Sequence, residues 1–261
     1  MTNEESKYIW ENNEWESPVV WDKIYSDEDD FSYRWSLYRD PRYLLKTIEK
    51  LNSEEPLKIL DAGCGNSFLP DLAARFGHQV VGVDVSPLAI KTCKSREVRE
   101  QDLALCFAEQ YQKGCFKGEF YYFITDPDDY NKQIFVDYNS EIKKHYKPGG
   151  KAEYELCNWN DTSLSERHGT FDIILNQNGL RGASCELISR TFQSFYKLLN
   201  PGGILIETII NAYAREATII QSGTEAGFVL IEQGWMIHDA EKYKTEMNTT
   251  QKYMVLCSHS G

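Results

Sequence analysis

Lys58-Ile59-Leu60-Asp61-Ala62-Gly63-Cys64-Gly65-Asn66 decides how this chain is read, together with Asp84 at the end of Gln79-Val80-Val81-Gly82-Val83-Asp84. Lys58-Ile59-Leu60 predicts a short buried strand. The two glycines that follow, one residue apart, let the backbone turn sharply and approach a ligand with no Cβ in the way. The second apolar run predicts another strand, ending in a carboxylate able to accept two hydrogen bonds from a ribose diol. About twenty residues separate the glycine turn from that acid, which is the spacing of a nucleoside-binding βαβ unit.

Two cofactor chemistries use such a unit. A dinucleotide site wants a third glycine for close helix packing under the pyrophosphate, and that slot holds Phe68. Asp61 argues the same way, since its charge repels a pyrophosphate and attracts a cationic amino acid group such as that of S-adenosylmethionine. The motif Asp61-Ala62-Gly63-Cys64-Gly65 with Asp84 resembles the class I S-adenosylmethionine-dependent methyltransferases, and the resemblance extends over residues 57–210. Within it, the run from Arg75 to Ser86 is most similar to small-molecule members, including thiopurine methyltransferase.

The resemblance implies an α/β fold with a Rossmann-like, seven-stranded, mostly parallel sheet whose last strand is reversed. It implies S-adenosyl-L-methionine as cofactor and S-adenosyl-L-homocysteine as product, held at Asp61, Gly63, Cys64, Gly65, Asp84 and Val85. Related enzymes place an acid after the third strand to accept from the adenine amino group, with an apolar neighbour on the ring. Here Ala152 to Cys157 is the expected third strand and Asn158-Trp159-Asn160 follows it, so an asparagine amide oxygen is expected to replace the acid and Trp159 to cover the base, the alternative being a strand-capping loop with a packed tryptophan.

The chain of 261 residues fits one domain: a helical lid over 1–52, a core over 53–96 and 151–261, and an insertion over 97–150. A formal net charge of −12 predicts no nucleic-acid partner, because neutralising phosphates needs a basic face. Seven cysteines without a Cys-x-x-Cys pair predict reduced thiols and a cytoplasmic protein. No stretch has the length or apolarity of a membrane span, so no membrane partner is expected. The oligomeric state is not legible.

In the lid, Trp21, Tyr25, Trp35 and Tyr38 lie in segments of helical periodicity and are expected to line the acceptor pocket. The alternative for each is simple packing onto the core. In the insertion, Phe120 to Ile124 and Gln133 to Tyr138 predict strands joined across Asp126-Pro127-Asp128-Asp129. Phe171 to Asn176 predicts the fourth strand, with Asp172 structural. Asn176 is expected beside the cofactor, and Gln177, Asn178 and Arg181 beside the acceptor, because ligands of such sheets bind at the strands' carboxyl ends. The Asn/Asp-Pro-Pro-aromatic signature of base- and glutamine-methylating enzymes is missing. Leu199-Asn200-Pro201-Gly202-Gly203 predicts the turn into the fifth strand and is a second, independent match to the family.

Methyl transfer from a sulfonium is an in-line displacement that needs alignment more than a nucleophilic side chain. No histidine or metal cluster stands out as catalytic. The expected acceptor is therefore a small molecule or short peptide methylated on oxygen, a carboxylate being favoured because it needs no general base. Transfer to nitrogen or sulfur, or a non-catalytic cofactor-binding module, are the alternatives.

Overall fold

The computed structural model describes residues 17–26, 39, 41–104, 106, 143–177, 179–180, 183–210, 212–235 and 251–258. Seven strands form one sheet in the order β3-β2-β1-β4-β5-β7-β6. They are β1 (Lys58–Ala62), β2 (Gln79–Asp84), β3 (Lys151–Leu156), β4 (Phe171–Gln177), β5 (Leu199–Ile210), β6 (Phe228–Trp235) and β7 (Gln251–Ser258). Strands β1 to β5 pair in parallel, and β7 runs antiparallel to both β5 and β6. The reversed last strand expected from the sequence is present.

The helices are α1 (Pro18–Tyr25), α2 (Arg42–Leu51), α3 (Leu69–Arg75), α4 (Pro87–Ser95), α5 (Leu164–His168), α6 (Cys185–Leu198) and α7 (Ala212–Ala226). Helix α4 begins as its sequence requires: the Ser86 hydroxyl accepts from the Ala89 amide, and Pro87 takes the first turn, where a missing N–H costs nothing. Ser184 caps α6 in the same way through Leu187. Helix α3 starts at Leu69 after the turn and carries Pro70 in its first turn.

The side chains alternate between two cores, one on each face of the sheet. On the first face Leu60, Ile174, Leu205 and Met254 pack with Leu187, Phe192 and Phe195 of α6 and Ile219 of α7. On the second, Ile59, Ile173, Ile204 and Val255 pack with Leu44 of α2 and Leu69 and Leu72 of α3. Both faces of the central strands are therefore covered, which explains their uninterrupted apolar runs. The predicted strands of the insertion fall within residues 107–142 and lie outside the described residues.

Asp172 locks the strand starts at the edge away from the carboxyl ends. One carboxylate oxygen accepts from the Lys58 amide at 2.8 Å and the other from the Asn200 side-chain amide at 2.7 Å, tying β1, β4 and β5 together. Its structural reading is thereby supported. Asp172→Ala removes both acceptors and leaves two donors without partners, so it lowers unfolding free energy by about 2 kcal/mol in urea denaturation, without altering the far-UV spectrum of the folded state.

Candidate cofactor and acceptor site

The glycine turn is held by its own amides. Gly63 and Cys64 N–H both donate to the Val83 carbonyl at 2.9 Å, and Gly65 N–H donates to Asp84 Oδ2 at 2.9 Å. Gly63 and Gly65 have φ of 74° and 55°, where a Cβ is disfavoured. A Cβ at Gly63 would also lie 3.1 Å from the Trp159 ring. Asp84 fastens the turn after β2 as well, accepting from Ser86 N–H at 2.9 Å. Its carboxyl is lifted above the ordinary range by burial, while the Ser86 and Gly65 N–H groups pull it down.

Asp61 is not a free anion. Arg39, just ahead of α2, donates through Nη1 to Asp61 Oδ1 at 3.2 Å and through Nη2 to the Gly63 carbonyl, and both side chains are buried. Burial lifts the Asp61 carboxyl to about 6, against the opposing pull of Arg39. Around this pair, Asp61 Oδ2, Arg39 Nε and both polar atoms of the Asn66 side chain are buried without a hydrogen-bond partner. Orphaned polar groups gathered at one turn mark a place where a polar ligand completes the hydrogen bonding.

Of the other expected cofactor residues, Cys64 turns inward. It is fully buried, and its thiol donates to the Gly65 carbonyl at 3.4 Å, as does that of Cys93. Burial pushes its pKa well up, so it contributes backbone and packing and not a reactive thiolate. Val85 is buried directly after Asp84. The Asn158 Oδ1 accepts from Asn160 N–H at 2.9 Å within its own loop. Trp159 is buried in the first core and lies under Gly63 as a floor to the turn. Phe68, in the slot of a third glycine, lies beneath the Arg96 guanidinium at 3.9 Å from its ring centroid. Arg96 also donates to the Asn66 and Ser67 carbonyls and to Asp71 at 2.5 Å, clamping the exit of the turn to α3.

On the acceptor side, Trp21 and Tyr25 stack at 6.0 Å on α1, and Tyr25 is buried. Helix α1 docks on the start of α4, where Asp22 accepts from the Leu88 amide at 3.1 Å and from the Ser86 hydroxyl. Trp35, Tyr38, Asn178 and Arg181 lie outside the described residues. The end of β4 divides its polar residues between the faces. Gln177 pairs in register with Thr208 on the face that carries Asp61, whereas Asn176 pairs with Glu207 on the face of α6 and α7. Arg39, Asn66 and Glu207 were not singled out in the sequence. For Glu207 a signal exists, a lone acid inside the apolar run Ile204-Leu205-Ile206-Glu207-Thr208-Ile209-Ile210. Among the described residues no cluster of metal-ligating side chains occurs.

A family model described as a methyltransferase domain matches residues 36–249. The chain belongs to that family. Its sheet order and reversed last strand are those of the Rossmann-like methyltransferase fold. Solved structures agree at the level of the fold. Magnesium protoporphyrin IX methyltransferase from Synechocystis PCC 6803, crystallised with S-adenosylmethionine, is 15% identical with a TM-score of 0.51, covering 99% of this chain and 98% of that one. A methyltransferase from Methanosarcina mazei is 16% identical with a TM-score of 0.50, covering 82% and 98%. The local likeness to thiopurine methyltransferase finds no support in these matches.

One relative corrects the reading of charge. The 18S rRNA (guanine-N(7))-methyltransferase bud23 of Schizosaccharomyces pombe is 38% identical over 76 residues, which is 28% of this chain and 28% of that protein. The expectation that an acidic chain has no nucleic-acid partner is overturned by this match. Net charge governs non-specific association, while a base can be held by a few local contacts whatever the sum over the chain. No described helix is long and apolar enough to cross a membrane.

Burial holds the Glu207 carboxyl well above its ordinary value. The folded chain therefore keeps a proton that the unfolded chain releases above about pH 4.3. That contribution to stability is full at low pH and declines as pH rises toward the folded value. Glu207→Gln removes the decline, so between pH 5 and about pH 8 the wild type loses stability relative to this variant in urea titrations.

Proposed function

We propose that the chain holds S-adenosylmethionine across the glycine turn and transfers its methyl group to a small molecule or peptide at the carboxyl ends of β4 and β5, with oxygen the favoured methylated atom. The observation that carries the cofactor half is the use of the turn's amides. With the Gly63, Cys64 and Gly65 N–H groups all bonded internally, the turn offers carbonyl oxygens and Asp61. Those amides are therefore unavailable to a pyrophosphate, and the Gly63 carbonyl beside the Arg39–Asp61 pair suits a zwitterionic amino acid group.

In this reading Arg39 takes the cofactor's carboxylate and Asp61 keeps Arg39 in place, while the Gly63 carbonyl accepts from the ammonium. Asp84 uses its remaining lone pairs for the ribose diol, and Val85 and Asn158 border the adenine. Trp159 supports the turn from beneath. When bound, the cofactor supplies an electrophilic methyl carbon on sulfur, and the protein's task is alignment. Oxygen is favoured because two of the three described histidines are engaged by the fold: His78 Nδ1 accepts from the Leu57 N–H ahead of β1, and His168 pairs with Glu155 of β3. An acceptor already ionised needs no base. The division into lid 1–52, core and insertion 97–150 belongs to this proposal.

The 76-residue match favours a second reading, a guanine nitrogen of RNA. The full chain with methyl-labelled cofactor, offered metabolite, peptide and RNA fractions of a cell extract, separates them. Label in metabolites or peptides supports the first reading and label in RNA alone the second. No label in any fraction, with cofactor binding intact, overturns both.

The cofactor contacts have their own test. Arg39→Met weakens S-adenosylhomocysteine binding about 30-fold in calorimetry, the equivalent of ~2 kcal/mol for a buried charged hydrogen bond. It leaves 5′-methylthioadenosine, which lacks the amino acid, within about threefold. Equal losses for both ligands would show that Arg39 only supports the fold.

A further inference from the structure

The fold gives no account of Glu207. Both its carboxyl oxygens are buried without a hydrogen-bond partner, and the residue is fully covered. It stands in β5 between Asn176 of β4 and Met254 of β7, in register with both, on the face covered by α6 and α7. Asn176 is fully buried too, and its two ends differ. Its Oδ1 accepts from Gly179 N–H at 2.8 Å, whereas Nδ2 has no partner. The Gly179 turn fixes that orientation, since a Cβ there would fall 2.3 Å from Oδ1. At the carboxyl ends of two adjacent central strands, where ligands of such sheets bind, a carboxyl group and an amide N–H thus stand side by side with nothing bonded to them.

We propose that Glu207 and Asn176 orient the methyl acceptor, and that the acceptor presents a primary-amide or lactam edge, a carbonyl beside an N–H. The inference rests on the methyl-transfer reading above and adds the chemistry its acceptor must carry. Held in its protonated form by burial, Glu207 is at once an O–H donor and a carbonyl acceptor. A lactam or a primary carboxamide, whose N–H and carbonyl share one edge, is the complement of that group and closes a ring of two hydrogen bonds with it, whereas a trans peptide amide holds the two on opposite sides. Asn176 Nδ2 then donates to the same ligand carbonyl. An ammonium would leave the Asn176 donor without an acceptor, and an apolar group would leave every partner unpaired. A side-chain or terminal carboxamide of a peptide and the lactam edge of guanine share this chemistry, and they correspond to the two readings of the acceptor.

The test uses the full chain loaded with S-adenosylhomocysteine, whose binding is measured first. Two probes are then titrated by ligand-observed NMR: guanosine 5′-monophosphate and N-acetylglycinamide. Each has a blocked counterpart, 1-methylguanosine 5′-monophosphate and the N,N-dimethylamide. At least one parent probe is expected to bind, and its blocked form to bind about tenfold more weakly. Glu207→Leu weakens the parent by about the same factor and no longer distinguishes parent from blocked form. Glu207→Gln stays within about threefold of wild type, because its amide also offers a donor and an acceptor. Which parent binds identifies the source of the edge.

Binding of neither probe overturns the proposal. So does equal binding of parent and blocked forms, unchanged binding in Glu207→Leu, or a loss in Glu207→Gln as large as in Glu207→Leu. Should the leucine variant fail to fold, the blocked probes on wild type and the glutamine variant still decide. Failure to bind S-adenosylhomocysteine would bring down the cofactor reading, and this inference with it, whereas S-adenosylhomocysteine binding without probe binding brings down the inference alone.

Discussion

The Val83 carbonyl and the Asp84 carboxylate bind the three amides of the neighbouring turn, and the rest of the site depends on that. Three N–H groups that could have faced a ligand are directed at the end of β2. The turn becomes rigid without a ligand, and its outward surface becomes one of acceptors. A polar backbone group buried without a partner is costly, so this use of the amides fixes the geometry as firmly as the core does. The carboxyl ends of β1 and β2 are joined before any cofactor arrives.

Much of this was legible from residue types. The glycine pair after an apolar strand and the acid at the end of the next each have a local physical cause and stand where that cause put them, while Pro201-Gly202-Gly203, expected as the turn into β5, forms an irregularity inside that strand. The cap at Ser86 was legible for the same reason, because a hydroxyl three residues ahead of an amide acts within one turn of chain.

What escaped was long-range. Asp61 reads in sequence as an unpaired anion, yet Arg39 reaches it from 22 residues upstream and buries with it. No periodicity announces a side chain that crosses from ahead of one helix to the end of a strand. Trp159 reads in sequence either as a cover for a base or as the packed tryptophan of a strand-capping loop, and its place under Gly63 is revealed only by the packing of β1 against the loop after β3. Asn176 and Gln177 are adjacent in sequence and chemically alike. The alternation of a strand sends them to opposite faces, so one joins Glu207 and the other Thr208. The charge argument against nucleic acid failed for a related reason: a sum over the whole chain says little about one pocket.

The stack of Arg96 on Phe68 bears on how coenzyme preference could be re-engineered. Phe68 occupies the position where dinucleotide enzymes have their third glycine, and Arg96 roofs it while bonding to the Asn66 and Ser67 carbonyls. Trading Phe68 for glycine would not open a pyrophosphate cradle. It would take the aromatic ring from under a half-buried guanidinium whose other contacts pin the loop, leaving a hollow beside amides that already have acceptors. Converting this scaffold to nicotinamide chemistry would require rebuilding the stacked pair and the strand end opposite it in concert.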